Sequence, residues 1–145
     1  MTRLTQNFTL EELTRSQTAE EQGIDNTPGP AERYNLKALT EACLQPIRDH
    51  YGVLVRVTSG YRSDALNEAV GGSSTSLHRR GLAADIDVMG VDDRKVFDDI
   101  REGRLDIDFE ELIYYPEQNR LHIAYSRTPL SRETLIHQDE EYRAV

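Results

Sequence analysis

His78 and Asp85 lie one short segment apart in Ser76-Leu77-His78-Arg79-Arg80-Gly81-Leu82-Ala83-Ala84-Asp85-Ile86-Asp87. Together they offer an imidazole nitrogen and a hard carboxylate oxygen, a mixture that suits zinc. A site needs a third ligand. Of the four histidines, His50, His78, His122 and His137, the best placed is His122, on the alternating apolar run Leu121-His122-Ile123-Ala124-Tyr125. Three protein ligands with a fourth position open is the arrangement of a catalytic zinc, which lowers the pKa of bound water to about 7 and polarises a carbonyl. Those effects suit amide hydrolysis. The alternative is that His78 is a loop histidine and His122 a sheet-surface histidine, with no metal between them. Hydrolysis also needs a general base near the water, and Glu117, Glu111 and Glu110 are the candidates.

The elements that must position these residues can be read around them. Ala83 to Val88 reads as a strand with Asp85 and Asp87 on one side and Ala84 and Ile86 on the other, so one aspartate suffices as ligand. Gly52 to Gly60 is β-branched and alternating in its second half, a strand that ends at the Ser59-Gly60 turn. Arg62 follows at once. A guanidinium just past a strand end, at the rim of a pocket, suits a bidentate grip on a carboxylate; otherwise it is a surface arginine. Val70 to Ser76 is small and flexible and leads into His78. Its Gly71-Gly72 pair is not followed by Gly-Lys-Ser/Thr, which argues against a phosphate loop. Phe109 to Tyr115 and Arg120 to Tyr125 bracket Pro116-Glu117-Gln118-Asn119, the pattern of a hairpin.

The remainder reads as scaffold. Thr9 and Glu12 form a capping box before a short helix, with Phe8 in the staple position. A Gly- and Pro-rich loop over 23–30 delivers the chain to a second helix with Leu36, Leu39, Ala42, Cys43 and Ile47 on its buried face, which Pro46 kinks or ends. Residues 8–50 thus form a helical N-terminal scaffold. A further amphipathic helix, Arg94 to Gly103, turns Val96, Phe97 and Ile100 inward. Residues 131–145 are charged and read as a peripheral helix or loose tail, with His137 solvated.

The bulk numbers narrow the class. With 145 residues, the chain is long enough for one ordinary core, so 1–145 is expected to be a single domain, and a monomer is favoured. Its formal charge of −9 argues against a nucleic-acid partner. A lone cysteine, Cys43, leaves no internal disulfide. No apolar run approaches the roughly eighteen residues of a membrane helix, so no membrane insertion is expected. The N-terminus lacks the apolar stretch of a secretory leader, so the chain is expected to be cytoplasmic as synthesised.

Several separate motifs occur in order: Phe8-Thr9-Leu10-Glu11-Glu12-Leu13, Ser16-Gln17-Thr18-Ala19, Gly23-Ile24-Asp25-Asn26-Thr27-Pro28, Leu44-Gln45-Pro46-Ile47-Arg48, Ser59-Gly60-Tyr61-Arg62-Ser63, Asn67 with Val70-Gly71-Gly72, Ser76-Leu77-His78, Gly81 to Ile86, and Leu121-His122-Ile123. From about Phe8 to Tyr125 the chain resembles the M15 peptidases, the zinc D-Ala-D-Ala carboxypeptidase and phage endolysin family, and its front end resembles the phage-type branch. The resemblance implies an α+β fold, Hedgehog/D-Ala-D-Ala peptidase-like, in which a small antiparallel sheet carries the zinc site and packs against helices. It implies zinc bound by His78, Asp85 and His122, with Arg62 and Ser76 as substrate contacts. The implied activity is hydrolysis of peptide bonds in peptidoglycan stem peptides, as a carboxypeptidase or endopeptidase. A phage or prophage protein acting on the wall after release fits that activity. One position departs from the pattern. Many members carry the catalytic acid three residues before the last histidine, where this chain has Asn119, and Tyr114 and Tyr115 occupy the end of the preceding strand. Glu117, in the same hairpin, is then the expected catalytic carboxylate. Asn119 also favours the alternative of a non-catalytic zinc-containing cell-wall-binding or phage structural module.

Overall fold

Local sequence signals set the N-terminal scaffold. In the computed structural model, which describes Met1–Val145, a two-stranded ribbon, β1 (Arg3–Thr5) and β2 (Phe8–Thr9), runs into helix α1 (Leu10–Thr14). The predicted capping box is present: the Thr9 hydroxyl accepts from the Glu12 amide at 3.3 Å, and the Glu12 carboxylate accepts from the Thr9 amide at 3.2 Å. Helix α2 (Gln17–Gln22) starts at a Ser16 cap and stops at Gly23 in the left-handed region. The long helical segment comprises α3 (Pro30–Leu39), a wide π turn over Thr40–Leu44, and α4 (Gln45–Tyr51). Leu36, Leu39, Cys43, Leu44 and Ile47 are buried along it.

Pro46 does not end this segment. The π turn closes with a bond from the Gln45 amide to the Thr40 carbonyl, so the α-helical ladder restarts just before the proline. A proline in the first turn of a helix forfeits no intrahelical bond.

The remaining elements are strand β3 (Val55–Ser59), helix α5 (Asp64–Ala69), strand β4 (Ala83–Val88), helix α6 (Asp93–Arg101) and strands β5 (Glu111–Tyr115), β6 (Arg120–Ala124), β7 (Glu133–Gln138) and β8 (Glu141–Ala144). The six strands from β3 onward form one sheet in the order β3-β4-β6-β5-β7-β8. All neighbours are antiparallel except β5 and β7, which are parallel, so the sheet is mixed and the fold α+β.

Period-two alternation divides the sheet into two faces. Ala84, Ile86, Leu112, Leu121 and Ile123 lie in one buried cluster with Leu36, Leu39 and Ile47 of the long helix and Val96, Phe97 and Ile100 of α6. The opposite face, carrying Asp85, His122 and Ile113 side by side, is left for chemistry.

The C-terminal residues correct an expectation. Residues 131–145 are neither a helix nor a loose tail, because β7 pairs with the free side of β5 and β8 folds back on it. The turn is Asp139-Glu140, both at positive φ (53° and 63°), the two-residue geometry that matches strand twist. β8 is fully exposed, so charged residues cost little there and backbone pairing holds the ribbon. His137 is half-buried rather than solvated, its ring tilted against that of Tyr142 with centres 4.4 Å apart.

Candidate metal centre

Strand register brings the first pair together. β4 and β6 place Asp85 directly opposite His122, on the same face of the sheet, and His122 Nδ1 is 2.9 Å from Asp85 Oδ1. His78 arrives from a 3-10 turn, Leu77–Arg80, whose first amides are capped by the Ser76 hydroxyl, accepting from the His78 N–H at 3.2 Å. Gly81 closes that turn at φ +73°, where an added Cβ would stand 2.6 Å from the Glu32 carbonyl oxygen. His78 Nε2 then lies 3.5 Å from Asp85 Oδ1.

The second nitrogen of each ring is also held. His78 Nδ1 is 2.7 Å from the Gly60 carbonyl, which can only accept, so the proton sits on Nδ1 and Nε2 keeps its lone pair. His122 Nε2 is 3.3 Å from Glu111 Oε1, leaving Nδ1 turned toward Asp85. Burial pushes His78 toward its neutral form, with Asp85 offsetting only part of the effect. Burial pushes His122 the same way, but hydrogen bonds to Asp85 and Glu111 outweigh it and raise its pKa. For Asp85, burial would favour the protonated acid; the two histidines prevail and hold its pKa well below the usual carboxylate range.

This donor set fits a divalent metal. One ligand atom from each of His78, Asp85 and His122 lies within 4.8 Å of the other two. A tetrahedral ion with bonds of about 2.0–2.2 Å calls for donor separations of roughly 3.3–3.6 Å; the 3.5 Å contact from His78 to Asp85 falls in that range and the 2.9 Å contact from His122 lies a little below it. The group opens onto a cavity of about 750 Å³ that Arg62, Ser76 and Glu111 also line.

Arg62 is a fixed group rather than a free surface arginine. Its Nε donates to Ser59 Oγ and its Nη1 to Asn67 Oδ1, each at 3.2 Å, while Nη2 stands 3.8 Å from Asp85 Oδ2. The buried Asn67 also donates to the Ser73 carbonyl at 2.9 Å, tying the glycine-rich loop to the arginine. Sequence reasoning gave Asn67 no such task; its place between a short helix and a Gly-Gly pair was the available signal.

The structure does not bring Glu117 to this cavity. It sits in the 3-10 turn Pro116–Gln118, where its Oε1 accepts from the Asp139 amide at 3.0 Å. Glu110 is turned away to Ser131. Asn119, left-handed at φ 47°, lines a different hollow, beside Asp87 and Arg56. Glu111 is the one candidate base that reaches the cavity.

Gly60 joins scaffold to site. The Leu13 carbonyl at the end of α1 accepts from the Tyr61 amide at 2.7 Å, and a Cβ on Gly60 would stand 2.2 Å from that same oxygen. Gly60→Ala is therefore expected to destabilise the protein by about 1–3 kcal/mol and to loosen His78, whose ring depends on the Gly60 carbonyl. Denaturant unfolding together with a zinc titration checks both effects; an unchanged midpoint would show that α1 gives way freely.

No helix is long and apolar enough to cross a membrane. Among curated proteins, none matches the chain. The family model described as Peptidase M15 matches residues 6–124, a span that begins at the N-terminal ribbon, contains all three grouped metal-ligand candidates and ends with β6. On that match, over most of its length, the chain belongs to the peptidase M15 family.

Proposed function

We propose that this peptidase is zinc-dependent and hydrolyses peptide bonds of bacterial peptidoglycan stem peptides, as a carboxypeptidase or an endopeptidase. The observation that carries the proposal is the convergence of His78, Asp85 and His122 beside an immobilised Arg62 in one cavity. His78 Nε2, Asp85 and His122 Nδ1 would hold the zinc, which when bound supplies Lewis acidity and a water acidified toward neutral pH. The rest of the work belongs to the side chains around it. Arg62 receives a carboxylate or carbonyl of the peptide with little loss of its own freedom, because two of its nitrogens are already engaged. Ser76 lines the substrate edge.

We assign the general base to Glu111 in place of Glu117. Apart from Asp85, it is the only carboxylate on the cavity lining. One of its oxygens holds His122, leaving the other to take the proton from the attacking water and return it to the leaving amine.

Purified protein loaded with zinc is expected to release product from peptidoglycan stem peptides. A chelator should abolish that release and added zinc restore it. Zinc and wall-peptide binding without product over a broad pH range would instead establish the non-catalytic module, the reading favoured by Asn119 at the position of the family's acid.

A further inference from the structure

The cavity has a second cationic side. β5 and β6 pair Arg120 with Tyr115, and the guanidinium carbon lies 4.0 Å from the centre of the Tyr115 ring. Arg120 Nη1 stands 3.9 Å from Asp85 Oδ2, the oxygen that Arg62 approaches to 3.8 Å. The two arginines are not equally satisfied. Arg62 has Ser59 and Asn67, whereas Arg120 has no carboxylate but Asp85 within ion-pair distance, and its buried Nε has no hydrogen-bond partner.

Tyr115 is itself braced. Its hydroxyl lies 3.2 Å from that of Tyr142, and Tyr142 and Leu135 bring the β7–β8 ribbon onto the cavity lining. That ribbon lies beyond the residues matched by the family model.

Charge balance gives the arrangement a direction. Asp85 serves two imidazoles and two guanidiniums at once. If its oxygens are given to a metal ion, both arginines face a cavity whose only other acid, Glu111, is engaged with His122. A planar guanidinium stacked on an aromatic ring keeps its N–H edge free for bidentate contact with a carboxylate.

We propose that Arg120, stacked on Tyr115 and braced by Tyr142, is a specificity-determining residue that acts with Arg62 to select peptides bearing a free carboxylate next to the scissile bond. The inference rests on the peptidase reading above. It makes the C-terminal ribbon part of the substrate site.

The test uses a probe that cannot be cleaved: N-acetyl-D-alanyl-D-alanine with –CH2–NH– in place of the peptide linkage between the alanines, prepared as the free acid and as the C-terminal amide. Calorimetric titration into the zinc-loaded wild type is expected to favour the acid by at least about tenfold, the scale of one charge-assisted contact. Arg120→Ala should remove most of that preference while leaving amide affinity and zinc content unchanged, and Arg120→Lys should retain part of it. Tyr142→Ala, at an exposed position outside the group of ligand candidates, should weaken the preference in the same direction and decides the matter if Arg120→Ala fails to fold. An unchanged preference in the variants overturns the proposal, as does equal binding of both probes by the wild type. If the wild type binds neither probe, the peptide-site reading falls, and the inference with it.

Discussion

His122→Ala is expected to abolish hydrolysis and zinc binding together. His122 is one of three grouped donors, so its loss leaves a nitrogen and a carboxylate, too few to hold the ion in a structured site. Turnover should fall by several orders of magnitude, because the attacking water returns from a pKa of about 7 toward about 16. The sheet should survive, since the core packs on the opposite face from Asp85 and His122. Metal analysis after gel filtration, paired with a stem-peptide cleavage assay and a thermal melt, separates these effects. Full zinc content and full cleavage in His122→Ala would mean that the ion, if any, is held elsewhere.

The second large effect is expected at Glu111. Glu111→Gln should lower kcat by about a hundred- to ten-thousand-fold, the usual contribution of a positioned proton acceptor, with zinc retained and KM little changed. The glutamine carbonyl can still accept from His122 Nε2–H, so the imidazole keeps its orientation while the proton acceptor is lost. Glu111→Ala removes both roles, and zinc affinity should then drop by about ten- to a hundredfold, as for other carboxylates that orient a metal-bound histidine. Glu117→Gln serves as the control and should leave kcat unchanged, given its place at the far end of the hairpin. Wild-type turnover in Glu111→Gln would return the search for the base to the other residues of the cavity.

The difference between Glu111 and Glu117 shows what a linear sequence can convey about this site. Local signals read correctly: the Thr9–Glu12 box, the strand that puts Asp85 and Asp87 on one side, the turn after Ser59 and the β5–β6 hairpin all follow from a few neighbouring residues. Glu117 is five residues from His122 in the chain, yet the turn carries it away. Glu111 is more than twice as far along the chain but lies diagonally across from His122, because Ile113 is the residue directly opposite. Such diagonal neighbours are within reach of long side chains, and only the register reveals which they are. Arg120 went unremarked, and Asn67 was quoted in a motif without a role, for a related reason: what each does depends on the groups that surround it. The β7–β8 ribbon was obscured by composition: a two-stranded extension exposed on one side needs few apolar residues when a partner strand supplies its hydrogen bonds.

That extension matters for more than the cavity. Without β7, the strand Glu111–Tyr115 would present a row of open N–H and C=O groups on the sequence Glu-Leu-Ile-Tyr-Tyr, an uncovered sheet edge with aromatic and β-branched side chains. Two copies meeting there could pair edge to edge. By occupying that position and ending in the charged, exposed strand Glu141–Ala144, the C-terminal ribbon passes the sheet's rim to a segment poorly suited to self-association. The same twelve residues, Glu133 to Ala144, that shape one side of the cavity thereby keep the strand bearing Glu111 from becoming a seed for aggregation.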